Sequence, residues 1–216
     1  MERSFSIFRL LELLFLFSML PLALASGLFP RPWVIYLFAA GIPLTFWLRF
    51  VRKRPWTDFW TGPESSVRSS DLLHVISRFG INSIALVVLT LGLYPDKLLS
   101  FPAAFPIRWL AVMILYPLIM VYPQELVFRM YFAERYAGLL ATDRWLIVVN
   151  ALLFGWVHIL YGNMLAVVLS GIGGALFMDT YLRTRSMKLV WLEHVLYGNL
   201  VFTIGLGEFF YSGWAG

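Results

Sequence analysis

The sequence predicts an all-α protein, a polytopic transmembrane bundle of about seven helical spans with its N-terminus cytoplasmic. Three observations carry that prediction. Of 216 residues, 60% are hydrophobic and 13% charged, with a mean hydropathy of +0.78; a soluble domain sits nearer a half and a quarter. The apolar residues fall in runs long enough to cross a bilayer as helices. The basic residues gather on alternate loops, as expected when positive charge is retained on the inner side. The net charge of +5 therefore points to loop anchoring and not to a nucleic-acid partner. With no cysteine, disulfides, a thiolate nucleophile and cysteine-ligated metal are excluded. No linker or low-complexity tract divides the chain. It reads as one membrane domain, residues 1–216, with N-terminal spans and a loop over 1–106 and a motif-bearing core over 107–207.

The spans follow in order. The first is 7–25, and its end, Ala23-Leu24-Ala25, resembles a signal-peptidase site. The second, 33–48, carries Pro43 and ends in Arg49, Arg52, Lys53 and Arg54. Residues 55–70, with Trp56, Trp60, Gly62 and Pro63, form a polar interfacial loop with aromatic anchors. The third span is 72–93, followed by a loop with Pro95, Pro102 and Pro106. The fourth is 107–132, the fifth 145–161, the sixth 164–182 and the seventh 189–206, ahead of an aromatic tail with Phe209, Phe210, Tyr211 and Trp214. With the N-terminus inside, inner segments hold Arg3, Arg9, Arg49, Arg52, Lys53, Arg54, Arg68, Arg135, Arg144, Arg183, Arg185 and Lys188. Outer segments hold Arg31, Lys97 and Arg108. The expected setting is a prokaryotic inner or plasma membrane.

The segment 121–135, VYPQELVFRMYFAER, organises the chemistry. Glu125 and Arg129 are four apart, so on a helix they share a face and can pair. Ionisable groups at membrane depth are costly and mark function when they face a bundle interior. Pro123 removes a helical hydrogen bond two residues before Glu125, which predicts a kink or widened turn. Two histidines, His158 and His194, begin similar texts, His158-Ile-Leu-Tyr-Gly-Asn163 and His194-Val-Leu-Tyr-Gly-Asn199. At 1.5 Å per residue, Glu125, His158 and His194 lie on the order of 15, 20 and 10 Å from the cytoplasmic ends of their spans. One carboxylate and two imidazoles have two natural uses. They can hold a divalent metal such as zinc, with Glu125, His158 and His194 as ligands and a position left for water. Alternatively Glu125 is a general base on water and the imidazoles donate to a developing oxyanion. Both uses give hydrolysis.

Glu125-x-x-x-Arg129, then Phe154-x-x-x-His158, then a motif at His194, in this order on successive spans, resembles the CAAX protease and bacteriocin-processing enzyme family of intramembrane endopeptidases. The resemblance covers 107–207. It implies a helical bundle with a cavity open towards the membrane or cytoplasm. It also implies cleavage of a peptide bond near the C-terminus of a membrane-associated protein or peptide. The family's first motif has two adjacent glutamates, and Gln124 stands at the first. The family's third motif places an Asn four residues beyond its His, where this chain has Gly198. Asn199 follows one later, about 140° round a regular helix from His194. Asn199 and Asn150, eight residues before His158, are candidate oxyanion donors beside the catalytic set Glu125, Arg129, His158 and His194. Within the family, the chain is similar to the branch that processes C-terminal sorting tails, the myxosortase-like one.

Asp71, His74, Arg78 and Asn82 form a polar stripe on the third span that faces the interior, with Arg78 as a candidate for binding a substrate carboxylate. Glu193 is read as interfacial, Asp179 as a cap or lipid contact, and Gly171, Gly173 and Gly174 as close-packing positions. The competing function classes are a non-catalytic membrane immunity or scaffold protein and a proton-coupled transporter. Against transport, no pair of broken helices recurs in two halves of the chain.

Overall fold

The computed structural model describes residues 2–27, 29, 41–63 and 65–210. Seven longer helices are present among them: α1 Ile7–Ala25, α2 Gly41–Val51, α3 Ser69–Leu93, α4 Pro106–Leu139, α5 Asp143–Tyr161, α6 Met164–Thr184 and α7 Met187–Thr203. Of these, α1, α3, α4, α5 and α6 are long and apolar enough to cross a membrane. The protein is an all-helical integral membrane protein. The expected second span is described only from residue 41; Arg31, residues 33–40, Tyr211 and Trp214 lie outside the described residues.

Helix boundaries follow local chemistry. The hydroxyls of Thr142 and Ser186 and the amide oxygen of Asn163 accept from the first turns of α5, α7 and α6, satisfying backbone donors that an α-helix leaves open. α5 tightens into a 3₁₀ turn over His158–Tyr161 and stops at Gly162, which adopts φ +72°. α4 runs 34 residues, about 50 Å and well beyond a bilayer's apolar thickness of about 30 Å. The widening expected near Pro123 is present on both sides of it. Wide π turns span Pro117–Val121 and Leu126–Tyr131, and only Tyr122–Glu125 between them is α-helical. Such bulges are frequent at functional sites.

The second half of α4 forms the centre of the molecule. Met130, Phe132 and Tyr136 are fully buried. Phe17 of α1 packs edge-on against Phe128 and Phe132 at 5.1 and 5.4 Å between ring centroids. Glu12 of α1 accepts from Tyr131 (2.7 Å), Tyr136 (2.8 Å) and Arg135 (2.5 and 2.9 Å), so an ion in α1 is paired and fully hydrogen-bonded. α5 and α6 meet through small residues. A Cβ at Gly155 would stand 2.7 Å from the Val167 carbonyl oxygen, and one at Gly174 would stand 3.0 Å from Phe154 Cβ. The close-packing reading thus holds for Gly174 and for Gly171, which faces Gly155. Gly173 instead lies beside the Phe177 ring of its own helix.

The loops gather at two ends. At one, Arg52 and Arg54 pair with Glu134, the Ser66 amide donates to the Thr184 carbonyl, and Gly62 packs its backbone against Arg185. At the other, Lys97 pairs with Glu208 and Asn163 donates to the Phe209 carbonyl. The segments expected inside meet one another, and so do those expected outside.

Candidate active site

Glu125 and His194 come together from α4 and α7. Glu125 is fully buried, and its Oε1 lies 2.7 Å from His194 Nδ1. A carboxylate only accepts, so Nδ1 carries the hydrogen and donates it. In the neutral ring Nε2 is then the acceptor, and the Tyr116 hydroxyl donates to it at 3.2 Å. Phe177 stacks on the His194 ring at 4.5 Å and 19°, so the imidazole is fixed by packing as well as by Glu125.

Arg129 lies behind Glu125. Its Nε is 3.1 Å from Glu125 Oε2 as an i,i+4 ion pair, in line with the sequence expectation. Nη1 donates to Asn150 Oδ1 at 2.6 Å and to the Phe128 carbonyl at 3.2 Å. The guanidinium also sits 4.7 Å from the centroid of the Phe154 ring, a cation–π contact strengthened by burial. Asn150 completes this layer by donating to the Phe128 carbonyl at 2.7 Å. It is fully buried with both ends of its amide engaged, so it positions Arg129 and is not free to meet an oxyanion.

His158 reaches the site by a different route. Where α5 tightens, the His158 amide bonds back to Gly155, and the Phe154 carbonyl is left for a side chain. His158 Nδ1 takes it at 2.6 Å. A carbonyl is an acceptor, so this ring too is protonated at Nδ1 and keeps Nε2 as its acceptor. The Phe154 ring lies between the histidines, 4.9 Å from His158 and 5.8 Å from His194.

Both histidines line a cavity of about 820 Å³ bounded by α3, the first half of α4, α5, α6 and α7. Its walls are mostly apolar, with Leu86, Leu115, Val157 and Leu169 among them, and Tyr116 and Gln124 also face it. Glu125, Arg129, Asn150 and Asn199 do not line it. Three expectations change on this geometry. Glu125 does not face the cavity where water would enter, because its oxygens are turned to His194 and Arg129. The imidazoles present acceptors there, whereas an oxyanion needs donors. Asn199 donates to the Met113 carbonyl at 3.4 Å, turned from His194 as its position five residues on implies.

A single ion held by Glu125, His158 and His194 does not fit this arrangement. Glu125 occupies the Nδ1 edge of His194, so a metal on Nε2 would lie on the opposite edge of the ring. Among the described residues no group of three or more His, Cys, Asp and Glu is arranged to hold an ion.

Arg78 is fully committed inside the protein. It donates to Glu193 (2.6 and 3.1 Å), Asp179 (2.9 Å), Thr180 (2.7 Å) and the Leu176 carbonyl (3.0 Å), leaving no fork for a substrate carboxylate. Glu193, expected at the interface, is fully buried as the partner of Arg78. Asp179 pairs with Arg78 and Arg183. Asn82 donates to the Tyr197 hydroxyl at 2.8 Å, and Asp71 reaches Arg183 at 4.0 Å. His74 alone of the stripe is exposed. Sequence reasoning missed Tyr116 as a site residue, and its one signal was the glycine at 198.

Residues 105–200 match the family model described as type II CAAX prenyl endopeptidase Rce1-like. The match runs from just before α4 into α7 and contains Glu125, Arg129, Asn150, His158, His194 and Asn199. No curated protein and no solved structure matches the chain.

Proposed function

We propose, from the match of residues 105–200 to the Rce1-like model of CAAX-type endopeptidases, that this protein hydrolyses a peptide bond in a membrane-associated protein or peptide, near its C-terminus. Glu125 acts in this reaction through His194. The carboxylate holds Nδ1–H, fixes the tautomer and stabilises the imidazolium that forms when Nε2 takes a proton from water. The resulting hydroxide attacks the carbonyl carbon. His194 then returns the proton to the leaving amine, giving a carboxylate and an amine. His158, the second Nε2 acceptor on the cavity, orients the water by taking a hydrogen bond from its other hydrogen. Arg129 and Asn150 hold Glu125 in place. The cavity's apolar walls accept the membrane-borne part of the substrate and exclude bulk water.

The observation that supports this reading is the buried 2.7 Å contact between Glu125 and His194 at the wall of an apolar cavity. The test uses purified protein in liposomes, mixed with membrane proteins from cells that lack the protein, and counts newly formed C-termini. Glu125→Gln and His194→Ala each lower the rate at least ~100-fold, and the double variant loses no more than the worse single one, because the two residues act as a unit. Losses that multiply, or cleavage that survives both changes, contradict the reading.

A further inference from the structure

Hydrolysis at this site needs a donor for the oxyanion, and the donors expected from sequence are spent. Asn150 is bonded to Arg129 and Phe128, Asn199 to the Met113 carbonyl, and each histidine uses its N–H on Glu125 or Phe154. Tyr116 remains. It lines the cavity, and its hydroxyl is one hydrogen bond, 3.2 Å, from the nitrogen that would activate water. The fold makes room for it in a specific way. A Cβ at Gly198 would fall 2.3 Å from Tyr116 Cε1 and 2.4 Å from its hydroxyl oxygen, so any side chain at 198 displaces the ring. Phe202, one turn further along α7, supports the ring edge-on at 5.3 Å. Pro117 immediately follows Tyr116 and opens the first wide turn of α4.

Resting on the endopeptidase reading, we propose that the Tyr116 hydroxyl is the oxyanion donor of this enzyme, seated by the missing side chain of Gly198. In the resting site the phenol donates to His194 Nε2. When substrate and water enter, the water takes Nε2 and the phenol O–H turns to the substrate carbonyl. As hydroxide adds to the carbonyl carbon, the C=O pair moves to oxygen and the phenol holds that charge by its hydrogen bond while keeping its own proton. Collapse of the intermediate re-forms C=O and breaks C–N, with the proton on His194 going to the amine. Tyr116 therefore acts on the transition state more than on the bound substrate.

The experiment first identifies a terminus that the wild-type protein cuts and Glu125→Gln does not, then measures kcat and KM on a peptide of that sequence for wild type, Tyr116→Phe and Gly198→Ala in liposomes. Removing one oxyanion donor costs about 100-fold or more in kcat. Tyr116→Phe is expected to show that loss with KM within about two-fold, and Gly198→Ala, which keeps the phenol but moves it, to fall in the same direction. Wild-type kcat in either variant overturns the proposal and leaves the endopeptidase reading standing. So does a rise in KM at unchanged kcat, which would make Tyr116 a binding group. If wild type and Glu125→Gln leave identical termini, the endopeptidase reading fails and takes this proposal with it.

Discussion

At the scale of single residues, the site is a buried charge layer beneath an uncharged reactive surface. Arg129 is fully buried and joins Glu125, Asn150 and the Phe128 carbonyl. Replacing it with Met leaves the Glu125 carboxylate buried with His194 as its remaining partner. Removing one partner of a buried pair costs about 3–5 kcal/mol. Arg129→Met should therefore lower the thermal unfolding midpoint in detergent, and Glu125→Gln, which leaves the buried Arg129 guanidinium without its carboxylate, should shift it in the same direction. Equal midpoints for Arg129→Met and wild type contradict this role. The Glu125–Arg129 pair was legible in the sequence because helical spacing alone brings residues four apart onto one face. The Arg78–Glu193 pair was not, since it joins residues 115 apart and only the packing of α3 on α7 makes it.

At the scale of elements, two nearly identical texts end in different structures. His158-Ile-Leu-Tyr-Gly-Asn163 closes α5: Gly162 takes a left-handed conformation and Asn163 caps α6. His194-Val-Leu-Tyr-Gly-Asn199 stays helical throughout, with Gly198 giving its missing side chain's volume to Tyr116. Glycine permits a left-handed turn and also permits close approach, and the local text does not say which applies. Neighbouring helices decide it. The same logic makes the α5–α6 contact testable. A Val at Gly155 would drive Cβ into the Val167 backbone oxygen, and backbone cannot yield as a flexible side chain does. Gly155→Val should cost about 1–3 kcal/mol by overpacking. It should also reduce cleavage, because Phe154, the preceding residue, packs against both histidines. Wild-type stability and cleavage in this variant contradict that coupling.

At the scale of the whole molecule, composition and apolar run length were enough to give an all-helical membrane bundle. The C-terminal end of α1 and both ends of α5 and α6 fall within two residues of those read from sequence. The cavity was beyond the sequence, since it is made by what five helices leave unfilled. That cavity decides the roles within the site. Glu125 lies behind the wall, His158 and His194 are in it, and Gln124, where the family that the chain resembles carries a carboxylate, faces it with an amide that takes no proton. In the proposed reaction, chemistry at this site therefore rests on the Glu125–His194 pair. The most direct measurement compares the C-termini of membrane proteins, by mass spectrometry, in cells carrying wild-type protein or Glu125→Gln at matched expression. A protein or peptide whose C-terminal segment is removed in wild-type cells and retained in Glu125→Gln cells is the predicted result, and it names the substrate. Identical termini in the two cell populations would contradict the endopeptidase function and leave Glu125, His158 and His194 as a polar core.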